Sequence, residues 1–168
     1  LLFELANQNG TLERLTAFAI LLVRGHRKFL PLSFFVLSFL LSALGPGNIA
    51  ATALVAPIAM RTSVSASINP LLMAILVCTG ANAGAFSPVS VTGIINTTLI
   101  QQIGLTDATL PLRIFLIVAA IQSVTALGAY LFFGGYKIKD SETRLHTEFS
   151  RPSWQHVTTL LALLAFIV

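Results

Sequence analysis

Five uncharged side chains, Asn48, Asn82, Ser87, Thr92 and Asn96, stand in or beside long apolar runs, and Thr52 joins them one helical turn beyond Asn48. Together they offer amide N–H donors and hydroxyl or amide oxygens. Donors of that kind bind an anion, while neutral oxygens suit a hard cation such as sodium. The runs around them contain no Asp or Glu. An intramembrane carboxylate that could carry a proton is therefore absent from them, and a bound anion would meet no fixed negative charge. There is no Ser/His/Asp constellation, no phosphate-cradling lysine motif, and no His or Cys set at metal-ligand spacing. His26, His146 and His156 read as solvated loop residues. No catalytic residue is expected, the chain does not read as an enzyme, and sodium is the single cofactor-like species the side chains suggest.

Two interruptions position these residues. Gly45-Pro46-Gly47-Asn48 splits an apolar segment in its middle, because glycine and proline stop a helix. Asn48 is expected to cap the helix that follows. The second interruption runs from Gly80 to Pro88 and leads into Val89 to Ile103, where Thr92 and Asn96 share a face. Inside a bilayer, non-helical backbone survives only if buried in protein or lining a watery cavity. A helix N-terminus aimed into such a cavity favours an anion. Paired half-helices of this kind are typical of secondary transporters. The competing reading is structural, with glycines allowing close helix packing and polar side chains bonding across helices.

The 168 residues are 55% hydrophobic and 10% charged, with mean hydropathy +0.87. That is far below the roughly 25% charge of a soluble domain. Ten Lys and Arg stand against six acids, but they cluster outside the apolar runs, as topology requires and nucleic-acid binding does not. Cys78 reads as a small buried hydrophobe. Phe29 to Leu44 makes about 24 Å of helix and Ile49 to Met60 about 18 Å. Each is short of a hydrocarbon core of about 30 Å, and basic residues flank both ends. A re-entrant hairpin follows, with its tip at Gly45 to Asn48. Asn69-Pro70 signals a helix start, Leu71 to Thr79 and Val89 to Ile103 form one broken span, and Leu112 to Phe133 is a full span. Arg61 and Lys139 are expected in the cytoplasm and Asp107 outside.

The resulting division has a preceding span and an interfacial helix in 1–28 (the helix over Thr11 to Val23). A transport-domain half covers 29–136, built from the hairpin 29–61, the broken span 70–103 and the full span 110–136. A cytoplasmic loop occupies 137–156, and 157–168 begins another span, so the sequence reads as a piece of a larger multi-pass protein. The fold class is an all-α membrane protein.

Gly47-Asn48-Ile49-Ala50-Ala51-Thr52-Ala53-Leu54 with Pro57 resembles the hairpin tip of the divalent-anion:sodium symporter group. Gly80 to Pro88 with Asn96 resembles that group's second loop. Asn9 to Glu13, Gly45 to Ala50 and Ser87 to Gly93 resemble bacterial dicarboxylate carriers of the MatC (malonate carrier) type, in the wider ion-transporter superfamily. The resemblance implies half of an inverted-repeat carrier in the bacterial inner membrane, homodimeric and moving by an elevator-like displacement. It also implies a small dicarboxylate as substrate and coupling to a cation. Asn48 matches the hairpin Asn that meets a substrate carboxylate and a sodium ion, and Ser87 matches the Ser/Thr of the second loop. Gly47 and Ile49 replace the flanking Ser and Thr, which removes two side-chain ligands. The expected site comprises Gly47, Asn48, Ile49, Thr52, Asn82, Gly84, Ser87, Pro88, Thr92 and Asn96, with sodium on Asn48, Ser87 and loop carbonyls. Two other readings fit the composition: the membrane subunit of a binding-protein-dependent organic-acid transporter, and a membrane scaffold that transports nothing.

Overall fold

A computed structural model describes residues 27–45, 47–105 and 107–138. The interfacial helix expected over Thr11 to Val23, Lys139, the cytoplasmic loop beyond it and the span begun at Val157 lie outside the described residues. Among those described, five α-helices and two short 3-10 turns carry the structure. They are α1 (Leu30–Ala43), α2 (Gly47–Ser65), α3 (Pro70–Gly84), α4 (Val91–Gln102) and α5 (Leu110–Phe132), with the turns at Arg27–Phe29 and Gly135–Lys137.

The first interruption falls where glycine and proline place it. α1 stops at Ala43 and α2 starts at Gly47, with Gly47 at φ 76°, a conformation that costs a side-chain-bearing residue but not glycine. Arg61 does not end α2, as the sequence suggested; it lies exposed within a helix that continues to Ser65. Arginine is a good helix former, and the actual stop is two residues past the end. Ser67 adopts φ 53°, Ile68 N–H reaches the Ser63 carbonyl at 2.8 Å and Ser67 N–H reaches Val64 at 3.1 Å. This bond pair is a Schellman stop with serine in place of the usual glycine. Asn69 then caps α3, accepting from Leu71 N–H at 2.9 Å with Pro70 in the first turn, as the Asn-Pro pair predicts.

Gly80 to Gly84, expected to be unwound, are helical: α3 runs to Gly84, and the break is confined to Ala85 to Ser90. The physical reason is contact with α1. A Cβ on Gly80 would strike the Phe35 carbonyl, and one on Gly84 the Phe39 carbonyl. The two helices advance together by four residues, so they run parallel with backbones touching, which is the small-residue packing of membrane helices. Cys78 is exposed rather than buried. Its neighbours Val77 and Thr79 point into the protein, and the helical rotation turns residue 78 outward.

α5 returns antiparallel to α1: Phe39 and Phe115 rings stack at 6.3 Å near one end, and Tyr130 Oη donates to the Lys28 carbonyl at 3.0 Å near the other. Leu30, Phe34, Val55, Leu72, Met73 and Leu76 fill the core among these helices. α5 has 23 residues and is the one described helix long and apolar enough to cross a membrane. Most of it is uncovered, with Leu116, Ile117, Ile121 and Val124 exposed. At its N-terminal end Asp107 Oδ1 accepts from the Thr109 hydroxyl at 2.7 Å and from its N–H at 2.9 Å. These bonds, and Arg113 at 3.9 Å, hold the Asp107 carboxyl below the usual carboxylate range.

Candidate functional site

The two interruptions meet. Val91 N–H, at the start of α4, donates to the Gly45 carbonyl at 3.2 Å. Asn48 Nδ2 donates to Asn82 Oδ1 at 2.8 Å, joining residues 34 apart in sequence. A Cβ added at Gly47 would lie 3.7 Å from Thr92 Oγ1. Gly47, Asn48, Asn82 and Thr92 are thus brought to one place, at the junction of α2, α3 and α4.

Asn48 is not the cap expected from the sequence. It sits inside the first turn of α2, and its side chain reaches across to α3 instead of back to its own backbone. An Asn amide has two N–H donors and one acceptor oxygen. After the 2.8 Å bond, one N–H and the Oδ1 of Asn48 remain, along with both N–H donors of Asn82, and both residues are half-buried. The N–H groups of α2's first turn also have no partner within the helix. The junction therefore presents donors and carries no charge.

The α4 start is occupied by its own turn. Ser90, fully buried, caps it: the hydroxyl accepts from Gly93 N–H at 3.0 Å and lies 2.8 Å from the Ser87 carbonyl, with the Ala85 carbonyl also in reach. Gly93 packs so tightly on this turn that a Cβ would run into the Ser87 carbonyl. Loop carbonyls were expected among the cation ligands; those of Gly45, Gly84, Ala85 and Ser87, in or beside the two interruptions, each accept a hydrogen bond already.

Of the other expected residues, Ser87 and Gly84 are buried, and Thr52 is half-buried one turn along α2 from Asn48. Pro88 and Ile49 are exposed, Ile49 by 83%. Asn96, one turn after Thr92, has its Nδ2 buried without a hydrogen-bond partner. Gly84 works at the α1–α3 contact. Ser42 went unnoticed in the sequence: it is fully buried, its hydroxyl has no partner, and it lies beside Gly84. Ser90 had a readable signal, a serine directly ahead of a helical run.

Two helix breaks that meet beside an amide pair, next to one helix long and apolar enough to cross a membrane, define an all-helical arrangement, among the described residues, around an uncharged polar junction. The family comparison makes the assignment specific: the description Dicarboxylate carrier protein MatC N-terminus matches residues 1–85, and the chain belongs to this family. The match covers the first interruption, Asn48 and Asn82, and ends one residue into the second interruption. No curated protein and no solved structure matches the chain.

Proposed function

We propose that this chain forms the substrate-binding half of a cation-coupled carrier of small dicarboxylates in the bacterial inner membrane, with the anion held where the two interruptions meet. The observation that carries this reading is the Asn48–Asn82 bond, within a chain of the dicarboxylate-carrier family. A carboxylate at the junction takes the remaining amide N–H groups and the first-turn N–H groups of α2, whose positive dipole end lies there. Thr92 adds a hydroxyl. Asn96 Nδ2, a buried donor without a partner, gains from any acceptor that arrives.

The length of α1, though not that of the 19-residue α2, supports a hairpin that dips into the membrane and turns back. α1 has 14 residues, about 21 Å, whereas the 23 residues of α5 make about 34 Å. A helix of α1's length ends inside a core of about 30 Å. An elevator-like displacement would carry α1 to α5 as one unit, since the Gly45–Val91 and Asn48–Asn82 bonds tie the hairpin to the broken span and the Tyr130–Lys28 bond and the Phe39–Phe115 stack tie α5 to α1.

Sodium is the proposed coupling ion, taken by the Asn48 Oδ1 and the Ser87 hydroxyl with added carbonyl or substrate oxygens. Uptake of a labelled dicarboxylate by proteoliposomes of the intact carrier tests both parts. The expected outcome is accumulation driven by an inward sodium gradient. Full accumulation in sodium-free buffer under a proton gradient would remove sodium, and no uptake under any gradient would remove the carrier reading.

A further inference from the structure

A dicarboxylate has two charged ends, and the amide pair with the first turn of α2 accounts for one of them. The other end needs donors close to the pair that are not already spent. On α4 the polar groups divide sharply in this respect. The Ser90 hydroxyl caps the helix, the Thr97 hydroxyl donates to the Gly93 carbonyl at 2.9 Å, and the Thr98 hydroxyl donates to Ile94 at 3.0 Å. No such bond holds the Thr92 hydroxyl, and Asn96 Nδ2 is buried with no partner. The first-turn backbone divides in the same way. Val91 N–H goes to Gly45, Gly93 N–H to the Ser90 hydroxyl and Ile94 N–H to the Ser90 carbonyl, which leaves the N–H of Thr92.

These unspent groups share one side of the helix. Thr92 faces the tip of α2, where its Oγ1 lies 3.7 Å from the place a Cβ on Gly47 would take. Asn96 follows about 6 Å along the axis and is turned by about 40°. That rotation carries it from the α2 tip toward the side of the buried Gly93 and Ile100. A buried N–H without a partner costs stability, and a charged acceptor returns the most. We infer that Asn96 receives the second carboxylate of the substrate, with Thr92 between the two ends, and that it is the residue by which this half tells a diacid from a monoacid. The inference rests on the reading of the junction as the anion site and adds which end of the substrate each helix holds.

The test is calorimetric titration of the intact carrier with malonate, with succinate and with the half-amide of each, in which one carboxylate has become an uncharged amide. The parent is expected to bind at least one diacid more tightly than its half-amide. Asn96→Leu keeps a similar volume and removes the unpaired donor, so its melting midpoint without ligand should equal or exceed the parent's. Its diacid affinity should fall about tenfold to a hundredfold, the loss of one charge-assisted bond, while its half-amide affinity holds, so the preference collapses. Asn96→Asp, which repels a second carboxylate and accepts from an amide, should reverse the preference. Thr98→Val, on a hydroxyl bonded to its own helix, should leave it intact. Should Asn96→Leu fail to fold, Asn96→Asp carries the comparison. An unchanged preference in Asn96→Leu or Asn96→Asp, an equal loss for diacid and half-amide, or a parent without preference overturns the role of Asn96. In each of those cases the diacid still binds and the carrier reading stands, whereas a parent that binds neither diacid overturns both.

Discussion

Asn48→Asp is expected to yield a folded, membrane-inserted carrier that no longer transports. The substitution keeps the shape of the side chain and its place in the first turn of α2, where a negative charge suits the helix dipole. The bond to Asn82 survives in reverse, because the Asn82 amide turns over and donates to the new carboxylate. What is lost is the junction's neutrality and its donors. The N–H groups of Asn82 become committed to position 48, and a dicarboxylate now faces a like charge. Losing one charge-assisted hydrogen bond costs about 1.5–3 kcal/mol, or one to two decades in affinity at about 1.4 kcal/mol each. Repulsion at about 4 Å adds about 4 kcal/mol at an effective dielectric of 20. Uptake should fall by more than about a hundredfold, while size-exclusion profile and melting midpoint stay near those of the parent. Unchanged uptake would move the anion site away from the tip. A misfolded Asn48→Asp protein would make the pair a structural tie.

The second large effect is on folding. Gly84→Ala should sharply reduce the yield of folded carrier, because the added Cβ meets the Phe39 carbonyl, lies 2.8 Å from Ala43 N and lies 3.0 Å from Ser42 Cβ. Backbone cannot move aside as a side-chain end does, so α1 and α3 must separate. Overpacking of this kind costs about 1–3 kcal/mol, a large share of a marginal stability. Gly128→Ala is the internal comparison. That glycine lies on the exposed face of α5 with nothing within 4 Å of the place a Cβ would take, and alanine there should raise helix stability by about 0.5–1 kcal/mol. Thermal unfolding in one detergent reads both. Equal midpoints for Gly84→Ala and the parent would contradict the contact between α1 and α3.

The pair of glycine predictions also shows which features the sequence made legible. The first interruption was readable because Gly45, Pro46 and Gly47 are all breakers in four residues, and the start of α3 because Asn69-Pro70 is a local signal. Gly80 and Gly84 looked the same to a local reading, yet they are helical, since their role is set by the α1 backbone 45 residues earlier in the chain, at Phe35 and Phe39. Cys78 was misplaced for a related reason. In a chain rich in apolar residues throughout, hydrophobicity does not separate the buried face of a helix from the face turned to lipid. The polar residues were singled out from type and setting, but how they would be arranged was not legible. Asn48 seemed a cap because its nearest unpaired donors are its own helix's, and only the folded α3 supplies the competing partner at 2.8 Å. The family resemblance pointed to the same Asn without specifying Asn82 as its partner.

The most direct measurement is a double-mutant cycle on dicarboxylate binding. Calorimetric titration of the intact carrier would compare the parent with Asn48→Ala, Asn82→Ala and the double variant. Residues sharing one hydrogen-bonded network couple, whereas independent sites add to within about 0.3–0.5 kcal/mol. With the anion held by the amide pair, each single change should weaken binding at least about tenfold, and the double change should cost little more than the larger single one. Parent-like affinity in both single variants, or losses that simply add, would contradict a dicarboxylate site at the junction of the two interruptions.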